Sequence, residues 1–276
     1  MGNKKISKTR HSLAEIDGKK PGLMATEDMP PVACGQSPAA IWDKTESQPH
    51  LIIGGITSFS TVDWPGKLSC VCFLAGCPWR CLYCHNHELW EAQRGNGCSL
   101  QTEFFNLLAK RKGLLDAVVF SGGEPLCQPA LLWAVRKVKD MGYEAGLHTA
   151  GIFPERLKSV LPYLDWVGMD IKAPWDKYDE ITQVPNSAYC AKKSLEILSR
   201  ANISYEIRTT WHPDLLSPDD MCTIAKQIHG QGVNTWSVQA FRNQGTLGLL
   251  EDKSVVAKDV PASAVKLFDN YEFRGF

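Results

Sequence analysis

The chain lacks an excess of charge of either sign, because 30 basic residues balance 30 acidic residues. A chain without a basic field is not predicted to bind nucleic acid or an anionic membrane surface. No segment approaches the ~20 consecutive apolar residues that a membrane-spanning helix requires, and residues 1–30 contain no apolar run typical of an export signal. These absences predict a soluble, cytoplasmic protein.

The chain also lacks a second Cys-x-x-Cys group. Of its 10 cysteines, three lie within residues 77–84 and the other seven are scattered. A separate ferredoxin-like module is therefore not predicted, and we expect the scattered cysteines to be small, buried, inert side chains. A disulfide framework is typical of short secreted chains, whereas 276 residues with 44% hydrophobic content predict a sizeable globular domain.

The three clustered cysteines, Cys77, Cys81 and Cys84, have the spacing Cys-x3-Cys-x2-Cys. Thiolates are soft ligands, and an iron–sulfur cluster is the expected occupant of such a loop. A cubane with four irons would keep one iron open to a ligand other than cysteine. Zinc remains an alternative at this point, since His85 or His87 would complete a Cys3His site.

Buried, strand-like segments alternate with helix-like segments about six times between residues 68 and 241. This alternation predicts an α/β fold, a partial (β/α)6 barrel of parallel strands with the cysteine loop directly after the first core strand. We expect residues 1–49 to form a disordered or extended tail, residues 50–245 the barrel domain, and residues 246–276 a C-terminal extension that packs on it.

Polar or unusual residues follow four of the predicted strands after the first, where β/α barrels place their active sites. They are Gly122, Gly123 and Glu124 after the second strand, Thr149 after the third, Asp170 and Lys172 after the fourth, and Arg208 at the end of the fifth. Taken singly, the glycines are also compatible with an ordinary tight turn, and the Asp-x-Lys pair with an ordinary ion pair.

The cysteine spacing and the later Gly122-Gly123-Glu124-Pro125 resemble the radical S-adenosylmethionine superfamily. Three further segments resemble its activases of glycyl-radical enzymes, above all the longer type of anaerobic ribonucleoside-triphosphate reductase activating protein. They are Asp63-Trp64-Pro65-Gly66, Cys84-His85-Asn86 and Asp170-Ile171-Lys172.

The resemblance implies that Cys77, Cys81 and Cys84 hold a [4Fe–4S] cluster whose open iron binds S-adenosylmethionine. Reductive cleavage would give a 5′-deoxyadenosyl radical that removes a hydrogen from a glycine of a partner enzyme. It implies S-adenosylmethionine contacts from Gly122, Gly123, Glu124, Thr149, Asp170, Lys172 and Arg208, and contact of Asp63 with the incoming glycine loop.

The resemblance also implies a glycyl-radical enzyme as partner, most closely an anaerobic ribonucleotide reductase, and flavodoxin or a ferredoxin as electron donor. His148 stands where some relatives have an acidic residue for a monovalent cation, which puts such a cation site in doubt. Three alternatives stay open: a small-molecule enzyme similar to 7-carboxy-7-deazaguanine synthase, a zinc-stabilised interaction protein, and a plain electron carrier.

Overall fold

One eight-stranded sheet, in the order β1 to β8, organises the part of the chain that the computed structural model describes, residues 49–92 and 97–275. The side chains of residues 97 and 98 lie outside that description, and so does nearly all of the expected tail, residues 1–48. The strands are β1 (Ile53–Ser60), β2 (Ser69–Leu74), β3 (Ala117–Gly122), β4 (Glu144–Thr149), β5 (Trp166–Asp170), β6 (Ser204–Trp211), β7 (Thr235–Ala240) and β8 (Asn270–Arg274).

Strand β1 pairs with β2 in the antiparallel direction, and every later pair from β2–β3 to β7–β8 is parallel. The crossovers carry α1 (Gly97–Lys110), α2 (Leu131–Asp140), α3 (Pro154–Val160), α4 (Tyr178–Thr182), α5 (Ser187–Ser199), α6 (Pro218–His229) and α7 (Ala262–Val265). The predicted α/β fold with parallel strands is confirmed. None of the helices in the described ranges is long and apolar enough to cross a membrane.

Successive side chains of each strand alternate between two faces of the sheet. In β4, Ala145 and Leu147 belong to the main core, so Gly146 and His148 point to the opposite face. On that face a second core cluster contains Trp64, Val71, Ala117, Val119 and Trp166. This second face is the interior of the partial barrel, and it becomes polar toward the carboxyl ends of the strands, where Ser121, His148, Asp170 and Arg208 lie.

The C-terminal residues 246–275 add α7 and the strand β8, which pairs with β7 as a seventh parallel strand. Strand β8 is absent from the predicted six because it is an edge strand in which Tyr271 and Phe273 alternate with charged residues. Continuous apolar runs indicate strands that are covered on both faces. An edge strand of this kind has no such run. The expected domain boundaries near residues 49 and 245 remain predictions.

Candidate active site

The cysteine loop follows β2 and is held by the chain on two sides. On one side, the backbone N–H of Cys77 donates to the carbonyl of Trp90 at 3.0 Å. On the other side, the N–H groups of Arg80 and Leu82 donate to carbonyls of α4. The guanidinium of Arg80 also donates to the carbonyl of Cys77 at 2.6 Å. The loop geometry is therefore fixed by backbone contacts that leave the thiols free for other ligands.

Cys77, Cys81 and Cys84 carry free thiols. Burial raises the pKa of Cys77 well above its ordinary value, and the neighbouring thiol of Cys81 adds to that rise. Burial also raises the pKa of Cys81 to about 11, while the nearby ammonium of Lys172 works in the opposite direction. No group of three His, Cys, Asp or Glu side chains within reach of a single metal ion occurs in residues 49–92 and 97–275.

The two glycines after β3 pack against the cysteine loop at distances that exclude a side chain. A Cβ atom on Gly123 would lie 2.5 Å from the carbonyl oxygen of Gly76, directly before Cys77. Gly122 has a φ of +113°, and a Cβ there would meet the backbone of Leu74 at 2.4 Å. The amide of Asn86 donates to the carbonyl of Gly122 at 2.8 Å. The Gly-Gly turn and the cysteine loop thus form one packed unit.

Glu124, directly after the two glycines, is fully buried. Its carboxylate accepts hydrogen bonds from the hydroxyl of Thr149 at 2.8 Å, the N–H of Ala150 at 2.9 Å and the N–H of Leu126 at 3.1 Å. Burial raises the pKa of Glu124 to about 7, against the effect of these hydrogen bonds. Both carboxylate oxygens are in use, so Glu124 connects the end of β3 to the end of β4.

Asp170 and Arg208 lie side by side at the ends of β5 and β6. The Nε and Nη2 atoms of Arg208 each approach Oδ1 of Asp170 at 2.9 Å. Burial alone would raise the pKa of Asp170, but the charges of Arg208 and then Lys172 outweigh it and hold the pKa at about 2. The carboxylate is therefore ionised, and its first partner is the guanidinium.

Lys172 is 9% exposed, and its ammonium lies 3.4 Å from Oδ2 of Asp170. The same ammonium lies 5.5 Å from the ring centroid of Tyr83, inside the cysteine loop. Among the described residues, the bond to Asp170 is the hydrogen bond found for this ammonium, which has three N–H donors. A buried ammonium whose N–H groups are not all used in hydrogen bonds is suited to bind an anionic group.

Asp63 lies in the turn between β1 and β2, on the side where the parallel strands begin. Its carboxylate accepts a hydrogen bond from Ser60 at 2.5 Å, and its backbone carbonyl meets Nε2 of His148 at 2.7 Å. The Asp63 side chain, predicted as a substrate contact, thus faces Ser60 at the end of β1, and its backbone carbonyl connects the residue to His148 of β4. The other predicted residues gather directly at the carboxyl ends of β2 to β6.

Sequence reasoning missed the supporting role of Tyr178 in α4. Its ring packs edge-to-face on Trp79 with centroids 5.9 Å apart, and its hydroxyl accepts a bond from the N–H of Lys172 at 3.2 Å. Tyr178 thereby joins the cysteine loop to the Asp-x-Lys segment. Lys177 precedes α4 without a side-chain cap, and five residues are too few to show an apolar periodicity, which is why the sequence did not indicate a helix there.

Comparisons with known proteins show the family to which the chain belongs. Residues 71–236, more than half of the chain, match the family model described as the radical SAM superfamily. A Methanocaldococcus jannaschii protein, provisionally named a glycyl-radical enzyme activating enzyme, is 32% identical over 198 residues, covering 69% of this chain and 80% of that protein. The pyruvate formate-lyase-activating enzyme of Clostridium pasteurianum is 36% identical over 125 residues, 44% of this chain and 52% of that enzyme.

Among solved structures, that of Streptococcus suis SuiB superposes with a TM-score of 0.54 at 14% identity. The alignment covers 73% of this chain and 47% of SuiB. At this identity the likeness concerns the fold alone. This chain therefore spans about half the length of SuiB and of the Clostridium enzyme, and most of the length of the Methanocaldococcus protein.

Proposed function

The chain belongs to the radical SAM superfamily and, within it, to the activating enzymes of glycyl-radical enzymes, and we propose that its partner is an anaerobic ribonucleoside-triphosphate reductase. Members of the superfamily use a [4Fe–4S] cluster and S-adenosylmethionine. The choice of partner rests on the segments Asp63-Trp64-Pro65-Gly66 and Cys84-His85-Asn86. Flavodoxin or a ferredoxin would supply the electron, in the reducing cytoplasm that keeps cluster thiols reduced.

The observation that carries the site assignment is the position of Lys172. A buried ammonium with unused donors lies beside Cys81 and over the ring of Tyr83. We assign it to the carboxylate of S-adenosylmethionine, because a charge-assisted hydrogen bond of this kind is strong in a site shielded from water. Arg208, buried to 7% exposure next to it, supports the same anionic group.

The other predicted site residues form two groups. Some contact the ligand directly, and the others position the residues that do. Gly122 and Gly123 present a backbone edge without side chains, which suits the methionyl ammonium. Glu124 and Thr149 hold that edge in place through their mutual hydrogen bond. Asp170 acts through Arg208 and Lys172, whose side chains it orients.

Cys77, Cys81 and Cys84 fit the cluster in chemistry and in placement. They are three free thiols on one backbone-anchored loop, and the charge of Lys172 acts on one of them, Cys81. When bound, the cluster would supply the electron that cleaves S-adenosylmethionine, so that hydrogen can be removed from the partner's glycine. The chain contributes the enclosure: Trp79, Tyr83 and Tyr178 are each at most 4% exposed and exclude water from the loop.

The function is tested by anaerobic incubation of the reconstituted protein with reductant, S-adenosylmethionine and a candidate partner. Anaerobic ribonucleotide reductase and pyruvate formate-lyase are tested side by side by electron paramagnetic resonance. We expect a glycyl-radical doublet and one 5′-deoxyadenosine per radical with the reductase. A doublet only with the lyase would overturn the partner assignment, and cofactor cleavage without a doublet on either protein would favour the small-molecule alternative.

The cluster ligands are tested separately by iron and sulfide analysis. We expect Cys77→Ser, Cys81→Ser and Cys84→Ser each to lose most of the cluster, because an alkoxide is a far harder ligand than a thiolate. Cys222→Ser is the matched control, since Cys222 is a free cysteine of α6 outside the site. Retention of a full cluster in any of the three variants would remove that residue from the ligand set.

A further inference from the structure

The turn between β1 and β2, residues 61–66, folds back over the interior face of the sheet. Trp64 in this turn is 6% exposed and stacks on Trp166 of β5, with ring centroids 5.4 Å apart and planes 18° apart. The adjacent residue, Asp63, connects the turn to β4 by accepting a hydrogen bond from His148 at its backbone carbonyl. Its carboxylate accepts a hydrogen bond from Ser60 at the end of β1.

The hydrogen-bond partners of His148 determine its tautomer. The carbonyl oxygen of Asp63 can only accept, so Nε2 of His148, 2.7 Å away, must carry the proton. In a neutral imidazole Nδ1 is then an acceptor, and the hydroxyl of Ser121 at 3.2 Å donates to it. The chain of donors therefore runs from Ser121 through His148 to Asp63.

The imidazole is neutral across the working pH range. Burial and then the positive charge of Arg208 together lower the pKa of His148 to about 3, against the opposite effects of the Asp63 carbonyl and of Asp170. Arg274 of β8 acts in the same direction as Arg208. In the neutral ring, Nδ1 accepts from the Ser121 hydroxyl, which agrees with their contact of 3.2 Å.

Both ends of this chain of hydrogen bonds belong to the proposed machinery. Ser121 directly precedes Gly122 and Gly123, and Thr149, which follows His148, bonds to Glu124. Adjacent residues of β4 therefore serve two purposes: Thr149 holds the Gly-Gly turn, and His148 holds the turn that carries Asp63. The ring of His148 also packs edge-to-face on Trp166 at 5.6 Å.

We propose that His148 is a positioning residue that ties residues 61–66 to the end of β3 and so fixes the turn that carries Asp63, the residue expected to contact the partner's glycine loop. The proposal rests on the proposed activase function for its consequence, and on the hydrogen bonds of His148 for its geometry. In this proposal His148 helps to couple cofactor cleavage to hydrogen abstraction. It neither binds a cation nor transfers a proton.

The matched variants are His148→Gln and His148→Asn. The amide nitrogen of glutamine reaches the place of Nε2 and can donate to the Asp63 carbonyl, whereas the shorter asparagine reaches only the place of Nδ1. His148→Phe keeps the ring contact with Trp166 and removes both hydrogen bonds. All three are measured on the reconstituted full chain.

The first readout is hydrogen–deuterium exchange of residues 61–67, which needs no partner. We expect exchange to rise about tenfold in His148→Asn and His148→Phe, because the hydrogen bond from the His148 ring to the Asp63 carbonyl, which holds the turn on β4, is lost. In His148→Gln we expect exchange to stay within about threefold of wild type. Unchanged exchange in His148→Asn would overturn the proposal. If His148→Phe fails to fold, the Gln and Asn pair still decides it.

The second readout is the number of glycyl radicals formed per 5′-deoxyadenosine released with the partner that accepts a radical from wild type. We expect this ratio to fall about tenfold in His148→Asn and to recover in His148→Gln, with the dissociation constant of S-adenosylmethionine unchanged within about twofold. A fall in cofactor affinity equal to the fall in radical yield would overturn the coupling role. If wild type gives no radical on any partner, the proposed function fails, while the exchange data still test the positioning role.

Discussion

The carboxylate of Asp170 is held by the guanidinium of Arg208 through two contacts of 2.9 Å, both to Oδ1. Lys172, two residues further on, approaches only the other oxygen at 3.4 Å. The sequence spacing of this acid and this base is compatible with contacts to opposite ends of one zwitterion. In the structure the acid pairs first with a protein cation, and in the proposed site only the lysine addresses the ligand.

Asp170→Asn should weaken S-adenosylmethionine binding about tenfold, because Arg208 loses the charged partner that fixes its side chain. The dissociation constant is measured by anaerobic equilibrium binding to the reconstituted protein. Asp165→Asn is the control: Asp165 pairs with Lys139 at 2.6 Å just before β5 begins, at the opposite end of the strand. Equal effects of the two substitutions would contradict a specific role for Asp170.

Lys172→Met should raise the same dissociation constant by about 10- to 100-fold, since a hydrogen bond to a charged group contributes about 1.5–3 kcal/mol. Methionine keeps the length and apolar stem of lysine and removes the charge. Lys177→Met serves as control, because Lys177 pairs with Asp220 at 2.8 Å and its side chain is 42% exposed. Wild-type affinity in Lys172→Met would remove the lysine from the ligand site.

Gly123→Ala should destabilise the protein by about 1–3 kcal/mol, because the new methyl group must displace the Gly76 backbone in an already close-packed turn. The free energy of unfolding is measured by urea denaturation of the apo-protein, and iron content after reconstitution should fall with it. At Gly55 nothing lies within 4 Å of an added Cβ, so Gly55→Ala is the control and should change stability little. A Gly123→Ala protein with wild-type stability and full iron content would contradict close packing between the Gly-Gly turn and the cysteine loop.

Much of the site could be predicted from the sequence because its residues directly follow buried strands. Parallel strands end at one edge of the sheet, so Gly123, Thr149, Lys172 and Arg208 converge once the strand pattern is read. Residues whose work depends on tertiary contacts could not be found this way. Tyr178 looks like an ordinary core aromatic until its hydroxyl is seen on the backbone of Lys172.

The role of His148 also depends on a tertiary contact that the sequence does not reveal. The resemblance sets His148 at the position of an acidic residue in some relatives, but its partner is the backbone carbonyl of a residue 85 positions earlier. No local pattern encodes which carbonyl a turn presents after folding. The edge strand β8 was missed for a related reason, since Tyr271 and Phe273 pack on one face only and leave no apolar run.

Glu124 should make the stability of the apo-protein depend on pH in the range from about 4.5 to 7. Its folded-state pKa is raised to about 7 from an ordinary value of 4.5, chiefly by burial. Because the folded state holds this proton more tightly, the contribution of Glu124 to stability is fully present below pH 4.5. It is lost as the pH rises through 7, by at most about 3 kcal/mol.

The measurement compares urea denaturation of wild type and Glu124→Gln at intervals from pH 4.5 to 8. The glutamine variant cannot titrate, and it loses the hydrogen bond from Ala150 at every pH, which gives a constant offset. Contributions from His85 and His148, whose pKa values are lowered by burial, are shared by both proteins and cancel in the difference. We expect the stability of wild type relative to the variant to fall with rising pH; parallel curves would mean that the three hydrogen bonds keep Glu124 ionised throughout.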